Sequence, residues 1–248
     1  MIKIESVRTE GFLPALWGMR NPMNSHEKFD SCNTLEFSTD SKGDLVDFIT
    51  DFEMGPNDHD LAMRLAKCGP VDAKYRRMMI CYADITAPRY WWNEFDTYRF
   101  GVEKNSASTM HKIHAKEFVL EDFSCDQLLN TDCDLFVEEK DKGLFERNVQ
   151  PLQLLTDYLI PALNTCREKF LETKDKRYWW QMIQLLPGSY NQKRTVMMSY
   201  EALSNMYIHR KDHKLDEWRE FCKFIKKLPY SEIITLEEAA EDGNNSGN

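Results

Sequence analysis

The sequence predicts a protein of the α/β (α+β) class, because strand patterns and helix patterns both recur along its 248 residues. Alternating or short apolar runs predict strands at residues 2–7, near 45–49 and within 74–83. Apolar side chains at three- and four-residue steps predict the longer helices, at about 150–172, 177–186, 192–211 and 214–228. Because no internal repeat and no clear linker is seen, we expect one domain at residues 1–236 and an acidic disordered tail at 237–248.

Glycine and proline mark the limits of two further predicted helices. One helix begins at Asp58 and stops at Gly69-Pro70, and another begins at Ala87-Pro88, since proline suits a first helical turn. The second helix carries five large aromatic side chains: Tyr90, Trp91, Trp92, Phe95 and Tyr98. These are too many for one helical face, so we expect some of them to cover a second element or a subunit interface.

Other stretches have less regular patterns. The early segment GFLPALWGMRNPMNS is broken by glycine and proline, which predicts a loop, and its single cation Arg20 is expected to be solvated. A short helix is predicted at 121–129, and Pro161 is predicted to kink the helix at 150–172. The charged stretch 131–147 is ambiguous.

The composition excludes several classes of function. The net charge of −9 and the pI near 5.3 argue against general nucleic-acid binding, although a small basic pocket for one phosphorylated ligand stays open. No run of eighteen apolar residues and no apolar signal core occurs, so we expect no membrane span and a cytoplasmic location. The seven cysteines are scattered and form no CxxC, which favours free thiols and no metal site.

Residues 84–114 are the densest mixture of aromatic, charged and small hydroxyl side chains in the chain. Four short polar residues follow the predicted aromatic helix: Asn105, Ser106, Ser108 and Thr109. Such side chains either cap the next helix or serve as ligands for phosphate and pyrimidine groups. The sequence leaves both interpretations open.

A second polar segment spans residues 179–219. Its Ser199 and Arg210 are eleven residues apart, about three helical turns, so both would point the same way on one helix. Glu201 and Asn205 are four residues apart and would share an adjacent face. This polar stripe is either the solvated side of a helix or the wall of a pocket.

The order of these features resembles the flavin-dependent thymidylate synthases, also called thymidylate synthase-complementing proteins. The first similar run comprises Gly69, the strand near Met79 to Tyr82, Ala87-Pro88, the helix to Thr97-Tyr98-Arg99, and Asn105-Ser106-Ala107-Ser108. The second comprises Leu186-Pro187, Ser199, Glu201, Ala202-Leu203, Asn205, Arg210, His213 and Trp218. The resemblance spans most of residues 60–225 and implies that family's fold, a mixed sheet with long helices.

The resemblance also implies roles for particular residues. The residues that it places at the flavin are Tyr98, Arg99, Asn105 and Asn205. Ser108 corresponds to a serine beside the deoxyuridylate base, and Arg210 to the arginine that holds and polarises that base, so both are expected to act in catalysis. Glu94 stands where the family has a glutamine that helps to bind the nucleotide.

The chain departs from the family at several cationic positions. Thr97 and Tyr98 replace an arginine and a histidine of the flavin motif, Ile183 replaces an arginine, and Met110-His111 replaces Arg-Tyr. Glu201 replaces an arginine and therefore reverses the local charge, which would repel a phosphate. The cations that could compensate are Arg20, Arg76, Arg77, Lys193 and Arg194.

Taken with these departures, the resemblance supports two hypotheses. The first is a divergent enzyme that reductively methylates dUMP to dTMP, or a related pyrimidine nucleotide, with FAD, methylenetetrahydrofolate and a reduced nicotinamide. It implies a homotetramer with flavin sites at subunit interfaces, in a bacterium or a phage. The second is a non-catalytic derivative of the same fold that binds a nucleotide or a protein partner.

Overall fold

A computed structural model describes residues 2–39, 45–128, 133–139 and 143–237, with the backbone alone at 35–39, 45–51, 133–139 and 143–148. The strands are β1 Lys3–Glu10, β2 Cys32–Thr39, β3 Leu45–Glu53, β4 Ile80–Pro88, β5 Val102–Ser106, β6 Cys133–Glu139, β7 Gly143–Val149 and β8 Asn191–Ser199. The α-helices are α1 Phe12–Met19, α2 Pro56–Cys68, α3 Arg89–Phe95, α4 Thr109–Lys112, α5 Pro151–Gln153, α6 Ile160–Thr173, α7 Lys176–Leu185, α8 Tyr200–Arg210, α9 Asp216–Ile225 and α10 Glu232–Thr235. Helices and strands therefore mix along the chain, and the predicted α/β (α+β) class is confirmed.

The described strands form one four-stranded sheet and two antiparallel pairs. The four-stranded sheet has the order β1-β4-β8-β5, so its neighbours are distant in sequence. β2 pairs antiparallel with β3, and β6 pairs antiparallel with β7. The described parts of the charged stretch at 131–147 therefore lie in β6 and β7, although its pattern did not distinguish helix from strand.

The helix predicted at 192–211 is wrong in its first half. Residues 191–199 form β8, and the helix α8 begins only at Tyr200. Ser199 marks the change, because its backbone is extended and its hydroxyl accepts a hydrogen bond from the Ala202 N–H at 3.2 Å. The run QKRTVMMS passes from polar residues to Val196, Met197 and Met198 without a regular alternation, so its sequence does not distinguish a strand from a helix.

Three other predictions of local structure need correction. The segment predicted as a loop contains α1, whose N-terminal cap is Gly11 in the left-handed region at φ 86°. The aromatic helix α3 ends at Phe95, so Tyr98 and Arg99 lie beyond it. The helix predicted at 121–129 is a 3₁₀ turn at Leu120–Asp122 followed by an isolated bridge between Phe123 and Tyr190.

The long helix predicted at 150–172 is interrupted where a kink was expected. A π-helical turn at Leu154–Leu159 follows α5 and precedes α6. Pro161 comes directly after this turn, in a backbone that stays helical at Gln153, Leu159 and Ile160. The helix therefore runs through the proline, and the wider π-helical turn before it accommodates the ring and the missing backbone N–H.

The chain divides into two compact units. Unit 1 comprises residues 1–4, 85–97 and 105–194. In this unit α6 packs against α7, and a buried cluster contains Ile113, Phe118, Phe123, Leu155, Leu163, Cys166, Met182 and Leu186. Trp91, Trp92 and Phe95 are fully buried and pack on one another, with ring centroids 4.9–5.2 Å apart. These three aromatic side chains of α3 therefore belong to a core.

Unit 2 comprises residues 5–84, 98–104 and 195–248. Its helix α8 packs against α9, α10 and the 3₁₀ turn at Ala73–Arg77. The largest fully buried side chains of this unit include Leu16, Met79, Tyr200, Trp218 and Phe221. The buried face of α8 is thus surrounded by helices and includes Ser204, whereas Glu201, Asn205 and Arg210 lie at the edge of this core.

Arg20 is buried rather than solvated, which contradicts the expectation from the sequence. Its side chain is 3% exposed, and its Nε donates to Asp58 Oδ1 at 2.6 Å. The other carboxylate oxygen of Asp58 accepts from the backbone N–H groups of Asp30 and Ser31 and from the Ser31 hydroxyl at 2.6 Å. Asp58 therefore ties the loop after α1 to the first turn of α2.

The remaining expectations about the chain concern thiols, membranes, metals and the tail. The cysteines whose side chains are described are free thiols, and burial raises the pKa of Cys81 to about 12. Within the described residues, no helix is long and apolar enough to span a membrane, and no cluster of His, Cys, Asp or Glu suits a metal ion. The predicted tail lies outside the described residues except for Glu237, which accepts a hydrogen bond from Tyr207 at 2.6 Å. The single domain at 1–236 stays a prediction.

Candidate functional site

Arg210, the last residue of α8, is held by aromatic side chains in unit 2. Its Nε donates a hydrogen bond to the Tyr98 hydroxyl at 2.9 Å. Its guanidinium carbon lies 4.7 Å from the centroid of the Trp218 ring and 5.6 Å from that of the Tyr98 ring. A guanidinium over an aromatic face is stabilised by the ring quadrupole by about 0.5–2 kcal/mol. The cation of Arg210 is thus fixed in position while its side chain stays partly exposed.

The two rings that contact Arg210 are themselves well supported. Trp218 is fully buried on α9, packs edge-on against Phe221 at 5.8 Å, and lies 6.3 Å from the His213 ring. The Tyr98 ring meets the Trp218 ring edge-on at 6.0 Å. Trp218 anchors this arrangement, which we call the Arg210 clamp and which consists of Tyr98, Arg210 and Trp218.

The turn that follows Tyr98 is pinned to the start of α8. Gly101 has a left-handed φ of 69°, and a Cβ atom there would clash with the Ser199 hydroxyl oxygen. The Gly101 carbonyl also accepts a hydrogen bond from the Ser199 N–H at 2.7 Å. Only glycine fits this position without strain, so the turn has a defined path.

Two large side chains project from this pinned turn into solvent. Arg99 is exposed, and no hydrogen bond or ion pair joins it to the described part of the chain. Phe100 is 95% exposed, which is unusual for a residue of its size. A cation and an aromatic ring are thus presented side by side, a combination that suits a phosphorylated ligand with a flat ring.

Glu201 in the first turn of α8 is paired with Arg77. Arg77 Nη2 donates to Glu201 Oε1 at 3.0 Å, and Arg77 Nε donates to the other carboxylate oxygen. The hydrogen bond to Glu201 and its charge raise the pKa of the Arg77 guanidinium. Because the two charges cancel locally, the pair offsets the charge reversal at Glu201. Asn205, one turn further along α8, is exposed.

Two of the cations that could compensate for the lost arginines, Arg76 and Arg20, make contacts inside unit 2. Arg76 is buried, and its Nη1 donates to the Ser204 hydroxyl at 3.1 Å and to the Ile233 carbonyl at 3.2 Å. Burial lowers the pKa of this guanidinium. Arg20 forms an ion pair with Asp58, as described above. These two arginines therefore stabilise the interior of unit 2.

In unit 1, Ser108 is the N-terminal cap of α4. Its hydroxyl oxygen accepts a hydrogen bond from the His111 N–H at 3.2 Å, which confirms the capping interpretation of this segment. The side chain is exposed, and the hydroxyl hydrogen is not used by this bond. Asn105, at the end of β5, is exposed as well, and Glu94 on α3 is partly buried.

Arg194 is a further cation of unit 1 with defined contacts. Its Nη1 donates to Asp96 Oδ1 at 2.9 Å, and its guanidinium lies 4.2 Å from the centroid of the Trp92 ring. Its Nη2 donates to the Gln192 side-chain oxygen at 3.0 Å. Arg194 is therefore held by a carboxylate and a ring, and its charge is offset by Asp96.

Unit 2 also has two clefts that are lined by residues outside the Arg210 clamp. One, of about 510 Å³, is lined by residues that include Val7, Arg8, Tyr82 and Thr195. The other, of about 710 Å³, is lined by residues that include Phe12, Asn33, Phe52 and Tyr230. Neither cleft is lined by a residue that the resemblance places at the flavin or at the nucleotide.

Comparison with solved structures decides the fold. No protein-family model matches the sequence, and no curated protein matches it. A structure of thymidylate synthase X (ThyX) from Helicobacter pylori with FAD and dUMP is similar over 97% of this chain and 100% of that chain, with 15% identity and a TM-score of 0.59. A second structure of the Helicobacter pylori enzyme, also complexed with FAD and dUMP, covers 96% of this chain and 100% of its own, with 16% identity and a TM-score of 0.56.

This chain has the fold of the flavin-dependent thymidylate synthases. The resemblance predicted from the sequence is therefore confirmed at the level of the fold, and it extends beyond residues 60–225 to almost the whole chain. The low identity agrees with the departures at Thr97, Tyr98 and Glu201. The roles of individual residues are a separate matter and stay predictions.

Some members of the candidate site were visible in the sequence and others were not. Arg99, Arg210 and Asn205 were found from their motif positions. The hydrogen bond from Arg210 to Tyr98 was missed, because the two residues are 112 positions apart. The pairing of Arg77 with Glu201 joins residues 124 positions apart, and only the mismatch in charge at Glu201 pointed to it.

Proposed function

We propose that this chain is a divergent flavin-dependent thymidylate synthase that reductively methylates deoxyuridylate, or a related pyrimidine nucleotide. Methylenetetrahydrofolate would be the carbon donor. The observation that carries the proposal is the Arg210 clamp, since the arginine expected to hold the pyrimidine is oriented by Tyr98 and Trp218. An arginine that served only as a surface charge would not require a hydrogen bond to Tyr98 and a contact with the Trp218 ring.

Unit 2 presents exposed polar side chains that are suited to contact a flavin cofactor. Arg99 is an exposed cation with no described partner, beside the exposed ring of Phe100, and Asn205 offers an exposed amide. We propose that Arg99 holds the phosphates of FAD and that Asn205 and Asn105 contribute hydrogen bonds. When bound, FAD would supply the hydride for the reduction.

The side chains of the protein would bind and polarise the nucleotide. Arg210 would donate to a carbonyl oxygen of the pyrimidine and stabilise the negative charge that develops there, which is an electrostatic contribution. Ser108 would line the pocket of the base and use the hydroxyl hydrogen that its capping bond leaves available. Glu94 would contact the nucleotide. We expect a homotetramer, because the resemblance implies flavin sites at subunit interfaces.

A second candidate function is nucleotide binding without catalysis. The Arg77–Glu201 pair favours it, because an arginine engaged by a carboxylate brings no net positive charge to a phosphate. In this case the chain would bind a pyrimidine nucleotide or nucleoside but would not transfer a carbon unit to it.

Product formation distinguishes the two functions. The purified protein is incubated with FAD, reduced nicotinamide, methylenetetrahydrofolate and deoxyuridylate, and the nucleotides are separated by chromatography. We expect thymidylate to form, with omission of each component as a control. Binding of deoxyuridylate by calorimetry without any methylated product would instead support the non-catalytic function.

A further inference from the structure

We propose that Tyr98 is a positioning residue for Arg210, with Trp218 as the rigid surface behind both. This inference rests on the proposed function, in which Arg210 holds the pyrimidine. It reassigns Tyr98 from the flavin contact that the resemblance implies to the nucleotide side of the site. A position that belongs to the flavin motif would thus orient the substrate-binding arginine in this chain.

The geometry of the hydrogen bond carries this assignment. The Tyr98 hydroxyl accepts from Nε, which lies closest to the aliphatic stem of Arg210, at 2.9 Å. A bond at Nε fixes the plane of the guanidinium as well as its location, because the group is rigid and planar. The direction in which the two Nη groups can donate is therefore set by Tyr98.

The supports of Tyr98 are rigid on both sides. Behind the ring, Trp218 is fully buried and contacts the guanidinium at 4.7 Å. After it in the chain, the turn is pinned through Gly101 to Ser199. A free arginine would lose several rotatable bonds on binding a ligand, whereas a clamped one has already lost them, so clamping favours binding.

The contact between Tyr98 and Arg210 lies at the edge of the core of unit 2. The core of unit 2 is closed by Trp218, Phe221 and their neighbours, whereas Tyr98 and Arg210 lie partly exposed at its edge. A hydrogen bond at an exposed edge contributes little to stability. The hydrogen bond instead orients the guanidinium of Arg210, the group that is expected to contact the nucleotide.

The test is the Tyr98→Phe variant, which keeps the ring and removes only the hydroxyl. Deoxyuridylate and FAD affinities are measured by calorimetry on the full-length protein. We expect deoxyuridylate to bind up to roughly tenfold more weakly, because the long side chain of Arg210 must then be ordered on binding. The affinity for FAD is expected to stay unchanged. Tyr75→Phe is the matched control, since it removes a buried hydroxyl that donates to the Ala62 carbonyl, at 2.7 Å, and not to Arg210.

A double-mutant cycle separates positioning from a general structural effect. In an Arg210→Ala background, Tyr98→Phe should have no further effect on deoxyuridylate binding, because the group that Tyr98 orients is gone. Equal losses in both backgrounds, or a loss of FAD affinity with deoxyuridylate binding intact, would overturn the assignment. If Arg210→Ala itself binds deoxyuridylate as tightly as the natural protein, the proposed function fails at Arg210, and the positioning role fails with it.

Discussion

Replacing Arg210 with alanine is expected to reduce thymidylate formation by at least about 10²–10³-fold, while FAD still binds. The arginine would stabilise charge that develops on the pyrimidine during the reaction, and no neighbouring cation of the clamp can take over. Because Arg210 lies at the end of α8 and is partly exposed, its loss should leave the helix folded. Turnover is measured by chromatography of the nucleotides and flavin binding by absorbance.

The neighbouring residue provides the matched control for this variant. His209 is exposed in the same last turn of α8, so His209→Ala tests the effect of trimming the helix end. We expect it to retain close to natural turnover. Undiminished turnover in Arg210→Ala would contradict the assignment of Arg210 to the nucleotide.

The largest expected effect on stability is that of Asp58→Asn. This change leaves the buried Arg20 without its ion-pair partner, and an uncompensated buried charge costs about 3–5 kcal/mol. The carboxylate of Asp58 also accepts three hydrogen bonds from Asp30 and Ser31, which the amide can satisfy only in part. The free energy of unfolding, from urea denaturation, is the quantity to measure.

Two comparisons make the stability prediction specific. Asp60→Asn removes an exposed partner of Arg64, whose Nη2 lies 3.0 Å from Asp60 Oδ2, and should change the free energy of unfolding by less than about 1 kcal/mol. Arg20→Met in the Asp58→Asn background removes the uncompensated charge while the amide oxygen can still accept from Asp30 and Ser31, and should recover part of the loss. An Asp58→Asn variant as stable as Asp60→Asn would show that the buried pair does not hold the loop to α2.

Local signals made part of the fold predictable from the sequence. The end of α2 follows from Gly69-Pro70, and α7 and α9 follow from their apolar periodicity. The strand β8 was missed, because a run with two adjacent methionines suits a helix as well as a buried strand. The motif positions that lead from this strand into α8 depend on order rather than on secondary structure, and their assignment stays a prediction.

The contacts of the candidate site depend on residues that are distant in sequence. A lone arginine in a loop is usually solvated, so nothing local indicated that Arg20 would meet Asp58, 38 positions away. The sequence places Tyr98 at the flavin, in the position of a motif histidine, and only the three-dimensional arrangement shows its hydrogen bond with Arg210. A sequence can thus indicate which residues carry charge, but the pairs that neutralise or orient them require the structure.

The most direct test of the proposed function is the visible absorbance spectrum of the purified protein, before and after addition of FAD. We expect the two absorbance bands of a bound flavin to stay with the protein after removal of free FAD, and Arg99→Ala to weaken that binding because it removes the exposed cation at the turn. Protein that retains no flavin, even after incubation with a large excess of FAD, would contradict a flavin-dependent reaction. The fold would then serve another ligand.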